Sequence, residues 1–154
     1  MTIQNAPLLS LLLAVPLLGA LILVFLDERQ ATLLKGVALA TAGVNLVLSL
    51  PLFFGFQAEG GAVQFAEERL WIPALGAHNH VGVDGLSLLL VLLTTFLAVL
   101  AVLSSWTAVS KHLKGYLIAL LLLTTGIIGV FISLDLLLFY VFWEATLIPM
   151  YLLI

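Results

Sequence analysis

The chain has 154 residues, 64% of them hydrophobic and only 8% charged, with a net charge of −3. A soluble domain carries roughly 25% charged residues, so a mean hydropathy of +1.30 points to a chain dissolved in lipid. Five scattered basic residues give no footing for nucleic acid, and the lack of cysteine excludes a disulfide framework, a thiolate metal site or iron–sulfur ligation within these residues.

The first apolar run, residues 8–26, contains Pro16 and follows Pro7. No Lys or Arg precedes it, so it lacks the positive flank of a signal peptide and reads as a retained membrane span. A short charged loop, Asp27 to Lys35, leads to a second span at 36–56, with Asn45 near its middle and Pro51 towards its end. Asn45 is expected to hydrogen-bond to a neighbouring helix, with a direct part in transport as the alternative.

Residues 57–83 form the one long connection. Gly60-Gly61 reads as a turn, and Val63, Phe65, Leu70 and Ile72 suggest short extended pieces around Glu67-Glu68-Arg69. Trp71 before Pro73 suggests an anchor at the membrane surface. His78 and His80 have no third ligand at a usual spacing and read as loop histidines without a metal. Asp84 then reads as the N-cap of a third span at 86–106, satisfying free N–H groups of its first turn. Ser110 to Lys114 is a short basic loop. The fourth span, 116–132, carries Thr124, Thr125, Gly126 and Gly129, which allow helices to approach closely. A Ser133-Leu-Asp135 corner offers Ser133 or Asp135 as a cap for a fifth span at 135–154.

The fifth span is the unusual one, because Glu144 lies about nine residues into it, roughly 14 Å deep. That is about half of a 30 Å hydrocarbon core. An ionisable side chain there costs on the order of 3 kcal/mol and is a functional candidate by default. At 100° per residue, Ser133, Tyr140 and Tyr151 fall near Glu144 on one polar stripe, and Tyr140 at i−4 can reach the carboxyl. Pro149 has no N–H and frees the carbonyl of Ala145, which must find another donor at membrane depth. Carboxyl, hydroxyls and a freed carbonyl are parts of a proton relay; a Glu that merely ties helices together is the competing reading.

Four of the five basic residues, Arg29, Lys35, Lys111 and Lys114, fall in two loops of one side, with Arg69 on the other. The positive-inside rule puts those loops in the cytoplasm and the N-terminus outside a bacterial plasma membrane. The chain ends without a polar tail and reads as a piece of a longer protein.

Three blocks, Trp71-Ile-Pro-Ala-Leu-Gly76, Val81-Gly-Val-Asp-Gly-Leu-Ser-Leu-Leu-Leu90 and Gly129 to Ile154 with its Phe-Trp-Glu and Ile-Pro-Met-Tyr, carry a resemblance. The sequence resembles the subunit M (chain 4) branch of the antiporter-like subunits of proton-pumping NADH:quinone oxidoreductase, respiratory complex I, over an N-terminal portion. The resemblance implies an all-α membrane protein, five helices here out of about fourteen, with Glu144 in the proton path and partner lysines beyond residue 154. Tyr140, Pro149, Asp84 and Asp135 are supporting candidates. It also implies other membrane subunits, the bilayer and protons as partners. Flavin, iron–sulfur clusters and quinone would be held elsewhere in the complex, with no cofactor or metal in this chain. A subunit of a multisubunit cation/proton antiporter or of a membrane-bound hydrogenase, and a purely structural subunit, are the alternatives.

Overall fold

A computed structural model describes residues 7–57, 63–72, 77–109 and 111–154, with only the backbone described for 69–72 and 77–79. Five helices carry the fold: α1 Leu8–Phe25, α2 Ala31–Gly55, α3 Gly85–Ala108, α4 Leu113–Ile132 and α5 Leu136–Leu153. Each is long and apolar enough to cross a membrane. The shortest, at 18 residues, spans about 27 Å, close to a hydrocarbon core of about 30 Å. With lipid as solvent, apolar side chains have no reason to hide, and Leu18, Phe54 and Leu136 stand on the outer surface. The fold is therefore an all-α membrane bundle.

Helices α1 to α4 pack around one another, whereas α5 lies on the outer side of α4, with a smaller contact to strand β2. Small residues set the closest approaches. Gly19 of α1 sits against Thr41 of α2, and Gly126 and Gly129 of α4 sit against Thr146 and Phe142 of α5. A Cβ at any of the three would collide with its neighbour, which is the reason these helices can lie so near. Two apolar clusters fill the interior. One gathers Leu9, Leu12, Leu52, Val91, Ile128 and Ile132 at the end where α1 begins. The other gathers Leu23, Leu34, Ala38, Val102, Leu117 and Leu121 at the opposite end.

The long connection between α2 and α3 holds an antiparallel hairpin, β1 Gln64–Ile72 and β2 Ala77–Val83, with Glu67 opposite Val81 and Glu68 opposite His80. The extended pieces expected around Glu67 are thus present. The register slips between Gln64 and Glu67, where Phe65 takes a positive φ of 55° and buries its ring; a bulge of this kind re-aims the strand. Gly60-Gly61 and Pro73 lie outside the described residues, as do the side chains of Trp71 and His78. The hairpin rests on the corner between α4 and α5: Leu134 N–H donates to the His80 carbonyl at 2.9 Å, and Ser133 bridges to Val81.

The other end is held by lysines. Lys114 Nζ donates to the carbonyls of Val24 and Leu26 at 2.9 and 2.8 Å, and Lys35 Nζ donates to Trp106 O at 2.7 Å. Both lysines close carbonyls that a helix C-terminus leaves free. Lys35 belongs to α2 itself, which begins at Ala31, one full turn before the expected span, because nothing in Ala-Thr-Leu-Leu-Lys breaks a helix.

Candidate functional site

Glu144 stands nine residues into the 18-residue α5, about 13 Å from its start. The helix turns Leu138, Phe142, Thr146 and Pro149 towards α4, and Glu144, two residues from both Phe142 and Thr146, points about 200° away. Its side chain is exposed on the outer face of the chain, away from α1 to α4. Tyr140 is 56% exposed on that same face and lies within hydrogen-bonding reach of the carboxyl. Tyr151 is exposed as well. Among the described residues, Tyr140 is the polar partner of Glu144.

Ser133 does not join this stripe. It is the C-cap of α4, where its hydroxyl donates to the Gly129 carbonyl at 2.6 Å, because the chain turns at Leu134 before α5 begins. Asp135 takes the capping role, accepting from the N–H groups of Leu137 and Leu138 at 2.8 and 3.1 Å. Pro149 is buried on the α4 side and the helix runs through it, leaving the Ala145 carbonyl without the N–H it would otherwise receive.

Asp84 is a structural carboxylate. Its side chain accepts from Ser87 N–H at 2.7 Å while the Ser87 hydroxyl accepts from Asp84 N–H at 2.9 Å, a reciprocal capping box. These bonds from Ser87 hold the Asp84 carboxyl below its ordinary range.

The role of Glu67 is tertiary and is not announced by its local sequence. Helix α1 starts after Pro7 with no side-chain cap of its own. Glu67 reaches across from the hairpin and accepts from Leu9 N–H at 2.9 Å, from Ser10 N–H at 3.3 Å and from the Ser10 hydroxyl. A carboxylate at a helix N-terminus meets free donors and the positive end of the dipole. The only signal in the sequence was a helix start lacking a capping residue, and nothing local names the partner 57 residues away.

A second pair also went unread: Ser49 of α2 and Thr95 of α3 join their hydroxyls at 3.0 Å in the bundle interior. One turn from Ser49, Asn45 is buried, and neither its amide oxygen nor its nitrogen has a hydrogen-bond partner. The expected bond from Asn45 to a neighbouring helix is therefore not made. Among the described residues no three His, Cys, Asp or Glu side chains gather as a metal site would need.

No family model matches the chain. It is 44% identical to NADH-quinone oxidoreductase subunit M of Rhodobacter capsulatus, over 96% of this chain and 29% of that protein. It is 43% identical to NADH-ubiquinone oxidoreductase chain 4 of Mycosarcoma maydis, over 95% and 30%. With subunit M of Rickettsia conorii the identity is 36%, over 96% and 31%. The chain is thus homologous to subunit M and chain 4 proteins along nearly all of its own length, and it spans about 30% of the length of those curated relatives.

Proposed function

We propose that this homologue of subunit M and chain 4 is part of a proton-translocating membrane subunit of NADH:quinone oxidoreductase. Glu144 is the proton-carrying group, and electron transfer from NADH to quinone in other subunits drives its protonation cycle. One observation carries the reading: a mid-span carboxyl, with a tyrosine in reach, faces away from the chain's own helices. A charge that only tied α1 to α4 together would point inward. On α5 it points to where the rest of a subunit more than three times this length would pack. In a low-dielectric site a carboxyl prefers to be neutral, and an approaching positive group prefers it ionised. Movement of such a group can therefore load and unload a proton, which converts conformational work into transport.

The test replaces Glu144 by Gln in the full-length subunit within its assembled complex. Gln keeps hydrogen bonds and loses titration. Proton translocation per NADH oxidised should fall severely while the complex still assembles, and Glu144→Asp should be milder. Unchanged stoichiometry in an assembled Glu144→Gln complex would leave Glu144 a structural residue.

The same reading places the chain in a bacterial plasma membrane with the hairpin end outside, on the strength of Lys35 and Lys114 lying together at the other end. Single cysteines at Gln57 or Ala77 should then react with an impermeant thiol reagent from outside, and one at Ser110 only from the cytoplasm. The opposite labelling pattern would invert the topology.

A further inference from the structure

We propose that Asn45 binds a water molecule inside the helix bundle, shared with the backbone carbonyl of Leu12. Asn45 is 1% exposed, and its amide offers two donors and two acceptor lone pairs, none of them used. Polar groups buried at membrane depth are satisfied internally, because lipid offers nothing in exchange. Burial by this chain's own helices also limits who can answer: a further helix or a lipid head cannot reach the amide without opening the bundle.

The neighbouring hydroxyls have no proton to offer the Asn45 amide oxygen. One turn below, the Thr41 hydroxyl donates to Val37 O at 2.8 Å. One turn above, Ser49 and Thr95 make three contacts with only two protons: to Leu46 O at 2.7 Å, to Leu92 O at 2.9 Å and to each other at 3.0 Å. Neither has a donor to spare. What Asn45 requires is a small molecule that both donates and accepts, and water is that molecule when a buried site supplies two or more polar partners.

The second partner comes from α1. Pro16 has no N–H to give to the carbonyl of Leu12. Leu12 is fully buried and lies seven residues from Gly19, which is within about 20° of the same helix face. That face meets α2, since Gly19 packs directly on Thr41. The two helices run in opposite directions. Asn45, one turn beyond Thr41, and the Leu12 carbonyl, which points back towards Gly19, therefore come to similar depth in one seam. A water there would give the Leu12 carbonyl the donor Pro16 lacks and give Asn45 an acceptor and a donor. It would join α1 to α2 in place of a direct bond.

The experiment is a cryo-electron microscopy map of the full-length subunit in its membrane assembly, at a resolution where other internal waters are seen. The wild-type map should show discrete density within hydrogen-bonding distance of both the Asn45 amide and the Leu12 oxygen. Asn45→Leu should abolish it, and Pro16→Ala, which restores an N–H to Leu12 O, should weaken it. A wild-type map with no density there, or with the Asn45 amide bonded directly to protein, overturns the proposal, and this holds even if a variant fails to assemble. Density undiminished in Asn45→Leu overturns it too. Density undiminished in Pro16→Ala overturns the sharing with Leu12.

Discussion

Two glutamates mark the contrast between the hairpin end and the outer face of α5. Glu67 is surrounded by donors from its own chain: two backbone N–H groups and a hydroxyl at the start of α1. Glu144 has Tyr140 on its own helix and otherwise faces outward. A carboxylate whose bonds are completed within the chain is a fastening, because removing its acceptor oxygens would undo the fold it holds. A carboxyl left open at membrane depth is costly unless something outside the chain uses it. On the proposed reading, the two positions separate structure from function within a single small bundle.

The sharpest test of that contrast compares the same substitution at both sites. Glu144→Gln should cost most of the proton translocation with little loss of assembly. Glu67→Gln should leave translocation per complex near normal, because an amide oxygen still accepts from Leu9 and Ser10. Glu67→Ala removes the cap altogether and should destabilise the subunit by about 1–2 kcal/mol, read as a lower melting temperature of the detergent-solubilised complex. A Glu67→Gln complex that assembles fully but pumps no better than Glu144→Gln would erase the distinction.

A smaller but similarly direct effect concerns how α5 is held. Gly129→Val places a branched side chain against the Phe142 ring, and overpacking of this kind costs about 1–3 kcal/mol. Because α5 has α4 as its main support, the shift should appear as lost thermal stability accompanied by altered pumping, since Glu144 moves with the helix. A Gly129→Val complex with wild-type melting would show that the α4–α5 contact is looser than the packing implies.

The smallest expected effect is at Asp84. Asp84→Ala should cost about 1 kcal/mol as a lost N-cap. The Asp84 carboxyl is held below its ordinary value by Ser87, so its contribution is complete above that ordinary value, near pH 4. It fades only as the pH falls through the lower folded-state value. The stability gap between wild type and Asp84→Ala should thus stay constant from about pH 8 to pH 5 and narrow only under stronger acid. A gap that closes between pH 7 and pH 6 would mean another group is responsible.

The five long apolar helices, the capping roles of Asp84 and Asp135, the small-residue seam of Gly126 and Gly129 and the mid-helix position of Glu144 were all legible in the sequence. Each depends on local chemistry or on helical periodicity, which composition in lipid enforces residue by residue. Other features required the packed chain. Glu67 caps a helix whose Ser10 lies 57 residues earlier, Lys114 closes the end of α1 from across the bundle, and Ser49 finds Thr95 on another helix. Ser133 left the polar stripe because the corner at Leu134 breaks the periodicity that a continuous helix would have had. Asn45 was legible as a polar residue at membrane depth, but its lack of a protein partner was not. Which donors remain free in a seam is decided by the register of α1 against α2, and that register is set where Gly19 admits Thr41. Periodicity says which way a side chain points along its own helix; only the tertiary structure says what is waiting there.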